Sequence, residues 1–205
     1  SVLITPELSG FTLAQVLKQW RFWMLALCFL VISVSIGAVI PNLEQILVSK
    51  GFSITEAVGI AILTGLAVLA GRVIGGVLID HFWAPGVAFF FLSTPSIALY
   101  ILSGQTVTTE MATLAIMMIG FGAGVEYDFL AYLVAKYFGL RHYASIYGVL
   151  YSFFGLGAGL GPALLSHFAE SEGEWRKVLI YAAIALIIAS LPLLTLGRYR
   201  NFAES

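Results

Sequence analysis

The sequence predicts an all-α membrane protein with six transmembrane helices. Of its 205 residues, 60% are hydrophobic and only 10% are charged, whereas soluble domains carry about 25% charged residues. The apolar residues fall into runs of about 20, the length that a helix needs to cross a bilayer. A helix satisfies its backbone polar groups within its own segment, so we expect helices and no open strands in lipid.

The composition also limits the classes of partner. The net charge of −1 gives no reason to expect nucleic acid or a strongly charged partner. A single cysteine, Cys28, excludes an internal disulfide and lies in an apolar run, where it serves as a small core residue. The chain starts at Ser1 and shows no signal-peptide pattern, which suggests a fragment or a processed piece.

The chain divides into a lead-in, a transmembrane domain and a tail. Residues 1–21 are expected to form a cytoplasmic lead-in, in which residues 12–20 have the weak amphipathic spacing of a short interfacial helix. Residues 22–197 form the transmembrane domain, and residues 198–205 a cytoplasmic tail. The six predicted spans are 22–40, 57–79, 86–102, 111–135, 143–167 and 178–196. Pro41 closes the first span, so that residues 42–56 are predicted to be a loop.

The basic residues predict the orientation. Six of them fall on one side of the membrane, namely Lys18, Arg21, Lys136, Arg141, Arg198 and Arg200, and three on the other, namely Lys50, Arg176 and Lys177. The positive-inside rule then places both termini in the cytoplasm. The six spans can also be divided into two three-helix units in opposite orientation, which is typical of transporters.

Arg72 is the one basic residue within a span, and a cation in an apolar helix raises a functional question. It lies about 6 Å from the middle of its span, and Glu126 and Asp128 lie roughly 4 to 8 Å from the middle of theirs, on the same side. Arg72 can face a water-filled cavity and bind an anion such as a carboxylate. Alternatively, it pairs with an acid of the fourth span and is structural. Both interpretations stay open at this point.

Glu126 and Asp128 cannot both face the cavity, because two residues along a helix correspond to about 200° of rotation. Either acid is a candidate proton carrier, since intramembrane carboxylates often act as relays. The alternative for each is a hydrogen bond to a neighbouring helix. The residues alone do not decide which of the two faces the cavity.

Glycine rows predict close helix packing, and one loop contact predicts a gate. Gly71 with Gly75, Gly120 with Gly124, and Gly155 with Gly159 have the small-xxx-small spacing that lets helices approach.

Asp80 ends the second span on the side of the basic loop that contains Arg141. A contact between these two residues is a candidate cytoplasmic latch, and the alternative for Asp80 is a solvated acid at a helix end.

An enzyme is not expected. The histidines, His81, His142 and His167, all lie near span ends, and no Gly-x-Gly-Asp motif accompanies Tyr127-Asp128 as it does in intramembrane aspartyl proteases. No cluster with metal-ligand spacing is visible. We therefore predict no catalytic residue, no metal and no cofactor.

Several motifs resemble the major facilitator superfamily. Gly71-Arg72-x-x-Gly75-Gly76-x-x-x-Asp80 is similar to the end of the eighth helix and its loop, although His81 stands where the family motif has arginine and the final Gly-Arg is absent. Residues 122–141 resemble the tenth helix and its loop, and Gly157-x-Gly159-x-Gly161-Pro162 the eleventh, in bacterial members of the monocarboxylate and oxalate/formate antiporter type. Residues 12–23 resemble the end of the central cytoplasmic loop. The resemblance covers nearly the whole chain, as the C-terminal six-helix half of a twelve-helix transporter.

This resemblance implies alternating-access transport of a small organic anion, with the N-terminal half, the lipid bilayer and a coupling proton as partners. It implies that Arg72 binds the substrate carboxylate and that Gly76, Asp80 and Arg141 belong to a cytoplasmic gate. Val68 stands where animal monocarboxylate carriers have an acid, and the fifth span lacks the lysine of oxalate carriers, which favours a monocarboxylate. The implied location is the bacterial inner membrane. The rival is a non-transporting membrane protein (a sensor, an assembly partner or a truncated paralogue) in which Arg72 is only paired.

Overall fold

The computed structural model describes residues 9–172, 175–199 and 202. The predicted lead-in residues 1–8 and most of the predicted tail, including Arg200, lie outside this part. The helices are α1 (Leu13–Val16), α2 (Trp20–Val39), α3 (Leu43–Ser49), α4 (Ile54–Ala61), α5 (Leu63–His81), α6 (Ala84–Leu102), α7 (Thr109–Ala123), α8 (Glu126–Phe138), α9 (Tyr143–Glu172) and α10 (Trp175–Ser190). Two 3-10 helices cover Ile40–Asn42 and Leu191–Thr195.

Six segments of the described chain are long and apolar enough to cross a membrane. They are Trp20–Ser49, Ile54–His81, Ala84–Leu102, Thr109–Phe138, Tyr143–Ser171 and Trp175–Thr195. Each coincides with one predicted span to within a few residues at most of its ends, so the prediction of an all-α protein with six transmembrane helices is confirmed. The chain is an integral membrane protein.

The first half of the chain departs from the prediction at three places. Pro41 does not end the first span, because it lies in the first turn of a 3-10 helix, where its missing N–H is tolerated, and α3 continues beyond it. Residues 12–20 do not form one interfacial helix: α1 is a single turn capped by Thr12, and extended Gln19 separates it from α2. The second span begins earlier than predicted, with Ser53 capping α4.

The packing repeats itself between the two three-helix units. The first unit consists of α2 to α6, and the second of α7 to α10. Helix α2 of the first unit lies against α9 of the second, and α7 of the second unit lies against α5 of the first. Contacts of α6 with α7 and of α10 with α2 form a second matching pair, and α6 and α10 pack on each other. Exchanging the first three spans for the last three thus reproduces the contact pattern. This arrangement agrees with two inverted three-helix repeats.

Glycines make the two principal crossings close. A Cβ atom on Gly71 would meet the carbonyl oxygen of Phe121, and one on Gly124 would meet that of Val68, so α5 and α7 touch backbone to backbone. At the crossing of α2 and α9, Gly157 lies against the carbonyl oxygen of Leu30 in the same way.

The predicted pair Gly155 and Gly159 takes no part in this packing. A Cβ atom on either glycine would meet nothing within 4 Å in the described chain. Two glycines of α9 spaced by four residues do approach α2, but they are Gly157 and Gly161. The prediction therefore chose the wrong face of α9. Gly76 of α5 is likewise open. These three glycines lie on surfaces that this chain leaves uncovered.

The first and last segments of the described chain pack at the same end of the bundle. Gly10 pairs with Gly139 in an isolated antiparallel bridge, next to the end of α8. Tyr137 donates its hydroxyl proton to the carbonyl oxygen of Gly197 at 2.7 Å. The hydroxyl oxygen of Tyr199 accepts the backbone N–H of Ala84 at 2.6 Å. The start of the described chain, two inter-span turns and the end of the chain therefore form one packed layer.

Candidate functional site

Arg72 and Asp128 form an ion pair at the edge of the crossing between α5 and the second unit. Arg72 Nε lies 3.3 Å from Asp128 Oδ2. Gly71 faces Phe121, and a step of about 100° along the helix carries the next side chain to the rim of this contact. The side chains remain 41% and 50% exposed, respectively. The two residues therefore lie at the same level, as their predicted depths require, and both remain accessible.

Tyr127 completes the surroundings of the guanidinium. The Cζ atom of Arg72 lies 4.6 Å from the centre of the Tyr127 ring, within the range of a cation–π interaction. The guanidinium thus contacts a carboxylate and an aromatic face on successive residues of α8. This contact was not predicted from the sequence, where Tyr127 is notable only for preceding Asp128 as in a protease motif. An aromatic side chain beside two acids at the depth of a lone arginine was the available signal.

Glu126 faces the other way. It is 5% exposed, against 50% for the side chain of Asp128, and this difference follows from their separation of two residues on one helix. Within the described part of the chain, Glu126 Oε1 has no hydrogen-bond partner. Burying an ionised carboxylate without a partner is costly. A proton on Glu126 would remove that cost.

A break between α7 and α8 lies directly before the two acids. Gly120, Gly122 and Gly124 weaken the helix there, and each lies closely against a neighbouring helix. The N–H of Gly124 still bonds the carbonyl oxygen of Gly120 at 2.9 Å, but that of Val125 bonds Gly122, a tighter turn, at 3.2 Å. Glu126 then begins α8. Both acids lie in its first turn, where the helix dipole favours negative charge.

The proposed latch is not closed in this structure. Asp80 and Arg141, both within the described residues, are exposed and form no salt bridge with each other. Gly76, the third predicted gate residue, is exposed on α5. The sequence predicts these residues at one end of the bundle, but Asp80 and Arg141 form no ion pair in the structure. Their role as a gate stays a prediction.

The described residues contain no group of three His, Cys, Asp or Glu side chains that could hold a metal ion. A groove of about 670 Å³ lies elsewhere, between α2, α9 and α10. Its lining is apolar apart from Ser35 and Tyr181. The candidate charged site is therefore the Arg72–Asp128 pair, because no charged side chain lines this groove.

Two helices carry broad uncovered faces. The span that contains α5 and the span formed by α9 are the two least buried in the bundle. Large apolar side chains are exposed on α5 at Leu66, Leu69, Val73 and Val77, and on α9 at Leu156 and Leu160. Arg72 lies on α5, between these apolar positions.

Comparisons with known proteins agree with this fold. No protein-family model matches the chain. It is 30% identical over 151 residues, or 72% of its length, to an uncharacterized MFS-type transporter of Escherichia coli (strain K12), YhjX, of which it covers 37%. It is 24% identical over 174 residues, or 82% of its length, to monocarboxylate transporter 9 of Gallus gallus, of which it covers 34%. The chain thus spans about a third of the length of these curated relatives.

Solved structures show the same architecture. The E. coli fucose:proton symporter FucP matches 91% of the chain with a TM-score of 0.76 at 14% identity, over 45% of FucP. A bacterial homologue of the human lysosomal transporter Spinster, in an inward-facing form, matches 90% of the chain with a TM-score of 0.58 at 16% identity, over 50% of that protein. The two transporters share the six-helix fold with this chain. Together with the sequence relatives, these matches show that the chain belongs to the major facilitator superfamily, with the fold of one six-helix half.

Proposed function

We propose that the chain is the C-terminal half of a secondary transporter that moves a small organic anion, a monocarboxylate, by alternating access. The observation that carries the proposal is the half-exposed guanidinium of Arg72 at membrane depth, held by the carboxylate of Asp128 and the ring of Tyr127. A charge inside a span is costly unless it faces a cavity or a partner. Arg72 has a partner here and remains accessible to another.

The proposed substrate follows from the partner that Arg72 already has. The site binds a carboxylate, that of Asp128, through Nε. A guanidinium carries five N–H donors in a planar fork that matches a carboxylate with two parallel bonds. A substrate carboxylate offers the same chemistry as Asp128, so it can replace or join that residue on Arg72. One cation favours one carboxylate, and the name of monocarboxylate transporter 9 is consistent with this substrate class.

Glu126 is the proposed proton carrier. It is buried and lacks a partner at Oε1, whereas Asp128 is occupied by Arg72. A carboxyl group that is costly to ionise in one state and reaches water in another couples proton release to the conformational change. FucP, a structural neighbour, is named as a proton symporter.

The proposed assembly places this chain beside an N-terminal six-helix half. The spans of α5 and α9 are the least buried in the bundle, the exposed face of α5 includes the charged Arg72, and the relatives are about three times as long as the matched part. We propose that both termini lie in the cytoplasm, because the positive-inside rule assigns the more basic loops to that side. The E. coli relative supports a bacterial inner membrane as the location. In this assembly Gly76, Asp80 and Arg141 form the cytoplasmic gate.

Uptake by the complete transporter in proteoliposomes tests the function. Arg72→Ala is expected to abolish saturable monocarboxylate uptake, and Arg72→Lys to retain a small part of it, because lysine keeps the charge but lacks the planar fork. Arg176→Ala, at an exposed position at the start of α10, is the matched control and should transport normally. Uptake with normal affinity in Arg72→Ala would mean that Arg72 is structural and that the anion-site hypothesis is wrong. Absence of uptake by the unaltered complete transporter would favour the rival, a non-transporting membrane protein.

A further inference from the structure

An aromatic row on α9 leads to the Arg72 site. Tyr143, Tyr147 and Tyr151 are spaced by four residues, so they lie above one another on one face of the helix. Their ring centres are 5.6 Å and 5.5 Å apart, and Tyr151 stacks on Phe154 at 5.4 Å. The Phe154 ring lies 6.3 Å from that of Tyr127. The row therefore reaches the ring that carries the guanidinium of Arg72.

The row shares a surface with the ion pair. Tyr147 lies within electrostatic range of the Asp128 carboxylate, and Tyr127 follows Glu126 and precedes Asp128 on α8. The rings of Tyr127, Tyr147 and Tyr151, which we call the wall, thus share one continuous surface of α5, α8 and α9 with the charged pair. The wall is accessible: Tyr151 is 44% exposed, and Tyr127, Tyr143 and Tyr147 are partly exposed.

The wall presents phenol hydroxyl groups beside its aromatic faces. Within the described residues, the hydroxyls of Tyr127, Tyr147 and Tyr151 make no hydrogen bond. A phenol at membrane depth normally finds a partner for its hydroxyl. Three free hydroxyls beside π faces suit a ligand that is flat and apolar over most of its surface and polar at its edge.

We propose that the substrate is an aryl-substituted monocarboxylate, whose carboxylate binds Arg72 and whose ring stacks on the wall formed by Tyr127, Tyr147 and Tyr151. This inference rests on the proposed function and names the substrate class of the same site. The carboxylate supplies the charge that Arg72 requires, and the aromatic ring supplies the offset-stacked or edge-to-face contacts that aromatic side chains prefer. A small aliphatic carboxylate uses only the first of these two contacts.

Matched pairs of substrate test the proposal with the complete transporter in proteoliposomes. Phenylpyruvate is compared with pyruvate, and 3-phenylpropionate with propionate, so that each pair differs by one phenyl group. Each acid is measured as a substrate and as a competitor. We expect the aryl member to bind about tenfold more tightly than its parent, since one aromatic contact is worth about a factor of ten. Equal binding of the members of each pair overturns the proposal.

Variants then assign the preference to the wall. Tyr151→Ala should raise the KM of the aryl acid about tenfold and leave that of its parent within about twofold. Tyr127→Phe keeps the ring and should keep the preference. Tyr181→Ala, which removes a 60% exposed tyrosine of α10, is the control and should change neither KM.

The outcomes separate this inference from the proposed function. If the tyrosine variants weaken both members of a pair equally, the row is only structural and the inference fails, while Arg72-dependent transport of the small acids still supports the proposed function. If no carboxylate depends on Arg72, the proposed function fails as well.

Discussion

The Nε atom of Arg72 and the Oδ2 atom of Asp128, 3.3 Å apart, join the two three-helix units of the bundle. Arg72 belongs to the second span and Asp128 to the fourth. Because about half of each side chain is exposed, the pair contributes only about 0 to 1 kcal/mol. A bond of that strength can be exchanged for a substrate carboxylate at little cost.

Removing the charge of Asp128, which competes with the substrate carboxylate for Arg72, should tighten substrate binding. Asp128→Asn keeps the shape of the side chain but withdraws the charge from Arg72, so the Kd of a monocarboxylate should fall by up to about fivefold. Equilibrium binding to the purified complete transporter measures it. Glu110→Gln, in the exposed first turn of α7, is the control and should leave the Kd unchanged. Weaker binding in Asp128→Asn would instead mean that Asp128 orients Arg72 for the substrate.

Glu126→Gln should uncouple transport from protons. Glutamine is neutral and similar in size, so the buried site can accept it, but it cannot release a proton. We expect loss of uptake driven by a pH gradient, with exchange of internal for external substrate retained. Both are measured in proteoliposomes with and without the gradient. Glu44→Gln, at an exposed residue of α3, is the matched control. Full gradient-driven uptake in Glu126→Gln would exclude this residue as the proton carrier.

Gly71→Ala should destabilise the six-helix bundle. The added methyl group would meet the backbone of Phe121, which cannot rotate away, and such overpacking costs about 1 to 3 kcal/mol. Gly65→Ala, on the same helix, meets nothing within 4 Å and should keep or slightly raise stability, because alanine favours the helix. Denaturant unfolding of the chain in detergent micelles measures the difference. Equal stabilities of the two variants would contradict the close crossing.

Two glycines of α9 should separate folding from assembly. Gly157→Leu places a side chain against Ser33 and Leu30 and should prevent the bundle from folding. Gly155→Leu points into open space in this chain, so the six-helix bundle should unfold within about 0.5 kcal/mol of the parent. The same variant should lose co-purification with the N-terminal half, which we propose covers this face. Normal co-purification of Gly155→Leu would place the partner elsewhere.

The spans could be predicted from the sequence because an apolar run of sufficient length leaves the backbone one choice in lipid. Their ends were less predictable. Pro41 ends a helix in isolation, but here it starts a 3-10 turn that passes directly into α3. Whether a proline breaks or continues a helix depends on the next turn, which its own position does not reveal.

The charged residues of the candidate site were predictable from the sequence, and their geometry only partly. The depths of Arg72, Glu126 and Asp128 follow from helical rise, and their common level agrees with the ion pair. The direction of each side chain depends on how α8 is rotated against its neighbours. That rotation is set by backbone contacts at Gly120 and Gly124, which buried Glu126 and exposed Asp128. Tyr127 was missed for the same reason.

The two units form similar glycine-mediated helix crossings, but a charged residue follows the crossing glycine in only one of them. Gly71 and Gly157 make corresponding contacts in the two units, but Arg72 follows the first and Ala158 the second. The repeated packing of the two units accounts for the paired crossings, whereas the cation is present at one of them alone. The ligand of such a protein can therefore change during evolution through substitutions in a single unit, while the architecture that both units share is preserved.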